Sequence, residues 1–144
     1  MFSKACEYGI RAMIHIAHQS QKGNRVSLKD VAEAINSPVA FTAKILQSLA
    51  KDDLIISIKG SGGGYELMNE QTTAITLHNV VSSIDGDKIF SKCGLGLNEC
   101  NEAKPCPVHF QFKSIRDDLN EMLRSTTVRG LATELSYGMT YLKA

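Results

Sequence analysis

Three of the four cysteines lie close together in the second half of the chain. Cys93, Cys100 and Cys106 have six and five residues between them, and Pro107-Val108-His109 follows. Thiolates are soft ligands suited to iron–sulfur clusters or zinc, and a neutral imidazole can replace one of them. Structural zinc sites more often use CxxC pairs, which this segment lacks, so the spacing favours an iron–sulfur cluster over zinc. The plainer alternative is a loop of reduced, unligated cysteines.

His109 is a candidate further ligand because it follows Cys106 by three residues. A histidine at the start of a helix would equally suit a surface or dimer contact. Cys6 falls near the apolar stripe of the first predicted helix, so we interpret it as a small core residue. A cysteine-based redox enzyme is not expected, because that chemistry needs a low-pKa thiolate with a positioned base, and the sequence offers neither a CxxC pair nor such a base.

The segment that precedes the cysteines has the pattern of a DNA-binding domain. Apolar and small side chains recur with helical spacing over residues 4–20, and Ser27 begins a second helix in which Asp30 completes a capping box. Asn36-Ser37-Pro38 interrupts that helix; Ser37 is a good N-cap and Pro38 a good first residue for a third helix. A β-branched stretch, a glycine-rich tip and a second short strand then predict a hairpin. This order is typical of a winged helix-turn-helix.

In such a domain the first turns of the third helix meet base edges in the major groove, while the wing approaches the sugar-phosphate backbone. Glycines at the wing tip let backbone amides come close to phosphates. The candidate DNA-binding residues are Ser37, Pro38, Val39, Ala40, Thr42, Ala43 and Lys44 on the helix, and Lys59, Ser61, Gly62 and Gly63 on the wing. The plainer interpretations are a solvated helix face and a flexible hairpin tip. A dinucleotide site and a P-loop are excluded, because Tyr65 stands where a third glycine is needed and no lysine follows the glycines.

The second half is predicted to contain a polar connector over 69–73, a short helix capped by Thr76, and an irregular stretch over 85–107. A long helix is predicted from Val108 to Leu123, and a last one from Thr126 to Leu135. We therefore expect a mainly α fold with a small β-hairpin. Residues 1–68 would form the winged helix-turn-helix domain, and residues 69–144 would hold the connector helix, the cysteine loop and the long helix.

Composition adds bounds but no function. The 144 residues are 43% hydrophobic and 22% charged, as in ordinary globular proteins. The net charge of +1 neither supports nor excludes nucleic-acid binding, because phosphates need local cations and not a basic whole. No apolar run approaches the roughly 18 residues of a membrane span, and the N-terminus lacks the apolar stretch of a secretory signal. We expect a cytoplasmic protein.

The chain resembles the Rrf2 family of bacterial winged-helix regulators, which includes the IscR, NsrR and CymR types. The resemblance covers nearly the whole chain and depends on Tyr8-Gly9-Ile10-Arg11-Ala12-Met13, on Lys59-Gly60-Ser61-Gly62-Gly63-Gly64-Tyr65, and on three cysteines before a long helix. It implies a homodimer in which the long helices cross, bound to double-stranded DNA at a palindromic operator. It also implies that Cys93, Cys100 and Cys106 ligate a cluster.

The same resemblance offers two sources of a further ligand. His109 matches the position used by the IscR type, and Glu7 falls where some NsrR-type members place a carboxylate donated by the partner subunit. The first cysteine spacing is one residue longer than the common pattern, and Ala43 stands where IscR-type proteins carry an acidic base-reading side chain. We expect a 2Fe–2S cluster, with 4Fe–4S as the alternative.

The expected function is thus a transcriptional regulator, a repressor and not an enzyme, that senses redox state, nitric oxide or iron–sulfur status through its cluster. The alternative is a clusterless winged-helix regulator of the CymR type, controlled by a protein partner or a small molecule.

Overall fold

A computed structural model describes residues 1–143, without the side chains of residues 69, 71 and 72. It has the expected fold class, mainly helical with one two-stranded antiparallel hairpin. The elements in chain order are α1 (Lys4–Gln21), α2 (Leu28–Ala34), α3 (Val39–Lys51), β1 (Ile56–Ile58), β2 (Gly64–Glu66), α4 (Asn69–Ala74), α5 (Leu77–Asp85), α6 (Lys88–Ser91), α7 (His109–Ser125) and α8 (Val128–Ser136). Within the described residues, no helix combines the length and the apolar character that crossing a bilayer requires.

Side-chain caps fix two helix starts as the sequence predicts. Ser27 and Asp30 form a reciprocal capping box on α2, and Thr76 and Asn79 form one on α5. The start of α3 is corrected by one residue: Pro38 is the N-cap and no side chain caps the helix. A proline side chain has no oxygen to offer, so the exposed amides at this helix end remain free for another acceptor.

The hairpin has two strands of three residues each and is attached to the segment before α2. Its register pairs Ile56 with Glu66 and Ile58 with Gly64. The Tyr65 amide donates to the Val26 carbonyl at 2.7 Å, and the Val26 amide donates back at 3.1 Å. A Cβ on Gly64 would lie 2.4 Å from the Val26 carbonyl oxygen, so this close approach requires glycine.

One main core connects both halves of the sequence. The buried side chains from α1, α2, α3 and the hairpin pack together with Val80 of α5 and with Val128 and Ala132 of α8. The Leu77 amide bonds to the carbonyl of Thr126, and the Val128 amide bonds to that of Ile75, which ties the start of α8 to the start of α5. The two segments on either side of residue 68 therefore share one core. Their predicted division of labour, DNA binding in the first and the cysteine loop in the second, stays a prediction.

Two predictions for the second half are corrected. The expected connector over 69–73 is helical and forms α4, and the expected irregular stretch over 85–107 contains the short α6. Gly9, a local cost to helix α1, is explained by packing: an added Cβ would lie 2.1 Å from Ile84 Cδ1 of α5. The two helices can approach this closely because no side chain intervenes.

Candidate functional site

The first turn of α3 presents a small, exposed surface. Pro38, Val39 and Ala40 are exposed, Lys44 is exposed one turn later, and Ala43 is half-buried. Small side chains leave the backbone amides at this helix end accessible, and the helix dipole gives that end a partial positive charge. This surface can therefore accept an anionic ligand such as a phosphate and can enter a groove.

Thr42 does not belong to that exposed surface, which corrects its expected role as a residue that faces DNA. Its side chain is fully buried. Its hydroxyl lies 2.8 Å from the Pro38 carbonyl oxygen and 2.8 Å from Ser37 Oγ. Thr42 therefore acts inside the domain, where it fixes the turn that precedes α3.

The tip of the wing is exposed at Lys59, Ser61 and Gly62, and Gly63 is half-buried. Arg25 braces the tip from the segment before α2: its Nη1 donates to the Gly62 carbonyl oxygen at 2.9 Å. The same guanidinium donates to the carboxylate of Glu66. Sequence reasoning did not single out Arg25, because nothing in its neighbourhood indicates that the hairpin folds back on it.

Arg11 supports the turn between α2 and α3 from α1. Its Nη1 donates to the Ile35 carbonyl oxygen at 3.2 Å, and its guanidinium lies 4.6 Å from the ring centre of Tyr8. Tyr8 in turn meets Phe41 of α3 edge to face at 5.7 Å. The Tyr8-to-Met13 motif noted in the sequence therefore contains two residues that hold the helix-turn-helix in shape.

The cysteine loop, residues 92–106, brings two pairs of groups together: Cys93 with Cys106, and Cys100 with His109. Cys93 is buried, and the backbone amides of Leu95 and Leu97 lower the pKa of its thiol, with Cys106 as a further hydrogen-bond partner. The sulfur of Cys100 lies 3.5 Å from Nδ1 of His109. The thiols expected from the sequence thus lie on the loop, and the expected imidazole lies beside them at the start of α7.

One face of α7 carries the loop. His109, Phe112 and Arg116 follow one another by three and four residues, so they share a side of the helix. Phe112 covers Gly94, where an added Cβ would lie 2.5 Å from the ring. Arg116 donates to the Cys100 sulfur at 3.2 Å and also to the Lys92 carbonyl oxygen.

The donor set is chemically suited to a metal or an iron–sulfur cluster. His109 is buried, and among the described residues its Nε2 has no hydrogen-bond partner, which is unusual for a buried polar atom. The 3.5 Å between Cys100 and His109 is close to the ~3.6 Å expected between a sulfur and a nitrogen on one tetrahedral metal. A cleft of about 390 Å³ opens over Cys93 and Cys100, with Lys88 and Lys92 in its lining.

The donors do not all meet at one point. No group of three Cys, His, Asp or Glu side chains within the described residues is arranged as a metal site. Glu7 lies in the first turn of α1, where its carboxylate pairs with Lys4 at 3.2 Å. Cys6 is fully buried as predicted; burial, and then the charge of Asp85, raises the pKa of its thiol to about 12.

Helix α7 also carries exposed apolar side chains away from the loop. Phe110, Ile115 and Met122 have 58%, 62% and 45% of their surface accessible. Ile115 and Met122 are seven residues apart and share a face of the helix, whereas Phe110 lies beside His109. Exposed apolar side chains that share a face commonly mark an interaction surface. Leu119 and Leu123, further along the same helix, pack instead against α5 and α1 around Leu77.

Comparison with known proteins agrees with this architecture. Residues 2–134 match the profile of the Rrf2 family, described as an iron-dependent transcriptional regulator. The chain is 27% identical over 121 residues to the HTH-type transcriptional regulator IscR of Pectobacterium atrosepticum, a match that covers 84% of this chain and 72% of the relative.

Two solved structures share the fold. CymR (YrzC), the global cysteine regulator of B. subtilis, superposes with a TM-score of 0.73 at 26% identity, covering 92% of this chain and 96% of that one. T. potens IscR superposes with a TM-score of 0.74 at 19% identity, covering 97% and 91% of the two chains.

Proposed function

Since the chain belongs to the Rrf2 family of transcriptional regulators, we propose that it is a cytoplasmic, homodimeric repressor controlled by an iron–sulfur cluster. The cluster would be held by Cys93, Cys100, Cys106 and His109. The observation that carries the proposal is the arrangement of α7, which binds the cysteine loop on one face and exposes apolar side chains on another. Sensing chemistry and subunit contact would then share one helix.

DNA binding follows from the exposed start of α3 and from the wing. The free amides at Val39 and Ala40 and the ammonium of Lys44 suit a helix end placed in the major groove. Lys59, Ser61 and the glycines of the wing suit the neighbouring phosphates. A two-fold dimer would place two such surfaces on a palindromic operator, with half-sites about 34 Å apart.

The cluster proposal is supported by the donor chemistry. Three thiolates and one imidazole provide soft ligands for a 2Fe–2S or a 4Fe–4S cluster, and a cluster would supply a redox centre that also reacts with oxidants and nitric oxide. Lys88 and Lys92 line the cleft over Cys93 and Cys100, and Arg116 donates to the Cys100 sulfur, so positive charge lies beside the place where an anionic cluster would be held. Glu7 of a partner subunit is the alternative source of the last ligand.

Control of DNA binding would pass through the loop. Phe112 and Arg116 anchor the loop on α7. Binding or loss of a cluster by the cysteines would therefore change the contacts between the loop and α7. A rotation of one subunit against the other changes the half-site spacing and removes part of the operator contacts. A coupling of about 1–3 kcal/mol, or roughly five- to 150-fold in affinity, is sufficient for a switch.

A clusterless regulator is the second candidate. It is favoured by the lack of a convergent three-donor site in the described part of the chain and by the structural likeness to CymR. In that case a protein partner or a small molecule would control DNA binding, and the cysteines would be unligated thiols.

Iron and sulfide analysis of anaerobically purified protein, together with a visible absorption spectrum, separates the two candidates. We expect brown protein with iron and acid-labile sulfide in equal amounts, and loss of both in Cys100→Ala. Cys6→Ala is the matched control, because Cys6 is buried apart from the loop and should leave the iron content unchanged. Colourless wild-type protein without iron, also after anaerobic reconstitution, would refute the cluster proposal and leave the clusterless regulator.

A further inference from the structure

Arg116 joins two distant points of the cysteine loop. Its Nη1 donates to the carbonyl oxygen of Lys92, where the loop begins, and its Nη2 donates to the sulfur of Cys100 at 3.2 Å. A guanidinium is planar and rigid, so these two donations fix the distance between both acceptors. One side chain of α7 therefore connects the entry of the loop with its middle.

Little of the loop is buried, so hydrogen bonds supply most of its restraints. Residues 94–99 are exposed throughout, and Cys93 is the one buried residue among residues 92–106. Other contacts with α7 come from Phe112, which covers Gly94, and from His109, whose ring meets the same Cys100 sulfur and whose amide donates to the Cys106 carbonyl oxygen at 3.0 Å. Hydrogen bonds between residues close in sequence lie within the loop, from the Gly96 amide to the Cys93 carbonyl oxygen among them, and Arg116 alone among these side chains joins the loop's entry to its middle. A segment with so little buried surface depends on its hydrogen bonds for local order.

We propose that Arg116 is the positioning residue that fixes the cysteine loop on α7 before any cofactor is bound. Its paired donation holds the Cys100 sulfur against His109 and keeps the loop folded in the cluster-free chain. The inference uses the proposed function in one respect only, namely that Cys100 is a ligand. In that role the pre-positioned sulfur lowers the ordering cost of cofactor binding.

The second guanidinium nitrogen separates this role from a simple charge effect. Lysine retains the positive charge but has one compact ammonium group on a flexible stem, so it cannot reproduce a planar two-point contact. Glutamine removes the charge and also the two-point contact. Arg124 provides a matched control on the same helix, because its Nε donates to Asn120 at 3.1 Å, within α7 itself.

Hydrogen–deuterium exchange of the cluster-free protein, followed by mass spectrometry, tests the proposal. We expect exchange in residues 92–106 to rise about tenfold in Arg116→Gln, as the loss of a hydrogen bond with a charged donor implies. Arg116→Lys should resemble Arg116→Gln more than the wild type. Arg124→Gln should leave the loop unchanged, and peptides from α1 and α5 should exchange as in the wild type in all variants.

Unchanged loop exchange in Arg116→Gln would overturn the proposal, and so would full protection in Arg116→Lys, because charge alone would then suffice. If Arg116→Gln loses protection throughout α1 and α5, that substitution has disturbed the whole fold. Loop exchange in Arg116→Lys, compared with the wild type, then decides. The measurement uses protein without iron, so a failure of the cluster proposal leaves its result intact. Conversely, iron-loaded protein with an Arg116-independent loop would refute only the role of Arg116.

Discussion

Replacement of Thr42 by valine removes one hydroxyl and leaves the shape of the side chain nearly unchanged. Thr42 is fully buried on α3, and its hydroxyl lies 2.8 Å from both Ser37 Oγ and the Pro38 carbonyl oxygen. The hydroxyl carries a single proton, so only one of these contacts is a donation by Thr42 at any moment. We therefore count the loss as about one net hydrogen bond, or ~1 kcal/mol of unfolding free energy.

Since α3 has no side-chain cap, the contact between Thr42 and Ser37 is a local restraint on the start of the helix. Thermal unfolding followed by circular dichroism should show Thr42→Val melting about 3–5 °C below the wild type. Affinity for specific and for nonspecific DNA should fall by a similar factor, because the helix start is loosened without removal of a base contact. Thr42→Ser keeps the hydroxyl and serves as the control, although it also removes a buried methyl group.

Two results would refute this reasoning. A Thr42→Val protein with unchanged stability would mean that the buried hydroxyl contributes nothing to the fold. A variant of wild-type stability that loses affinity for its specific duplex alone would mean that Thr42 reads a base, as the sequence pattern had suggested.

Three further outcomes are expected. Lys44→Gln should reduce the salt dependence of DNA binding by about one unit of slope without loss of stability, while Lys51→Gln, exposed at the other end of α3, should not; equal slopes in both variants would contradict a phosphate contact at Lys44. The thiol pKa of Cys6 is raised from 9.0 to about 12, so the folded state keeps the thiol proton to a higher pH than the unfolded state does. The resulting contribution to stability is present below pH 9 and is lost as the pH rises from 9 towards 12. Denaturant titrations should therefore show a weaker decline of unfolding free energy over this pH range in Cys6→Ala than in the wild type. Gly9→Ala should destabilise by about 1–3 kcal/mol through its clash with Ile84, and Ile84→Val should relieve most of that cost; a double-mutant cycle without coupling would contradict the packing of α1 on α5.

Local sequence signals predicted the local structure well. Ser27 and Asp30 are spaced for a capping box and Thr76 is a good N-cap, and both helices begin directly after these caps. The glycine-rich stretch over residues 60–64 likewise predicted the tip of the hairpin. Each of these features depends on residues within one or two turns of each other, so short spacing in the sequence contains the required information.

Features that depend on tertiary packing were not predictable in the same way. Thr42 lies at a helix position that periodicity left on the polar side, yet it is fully buried and its hydroxyl contacts Ser37 in the preceding turn. The arginines at 11, 25 and 116 each bond to a backbone carbonyl distant in sequence, which no local pattern reveals. The packing of α8 into the main core also became evident only in the folded chain.

We propose that a cofactor on the cysteine loop controls the DNA-binding surface formed by α3 and the wing. For the most direct test, the reconstituted wild-type protein first selects a duplex from random sequence. That duplex is then titrated under anaerobic conditions with the wild-type protein and with the variant in which Cys93, Cys100 and Cys106 are all alanine. We expect the two proteins to differ by about five- to 150-fold in affinity for that duplex, while Cys6→Ala binds as the wild type does. Identical affinity of the wild type and the triple variant, with iron demonstrated in the wild type, would contradict this proposal.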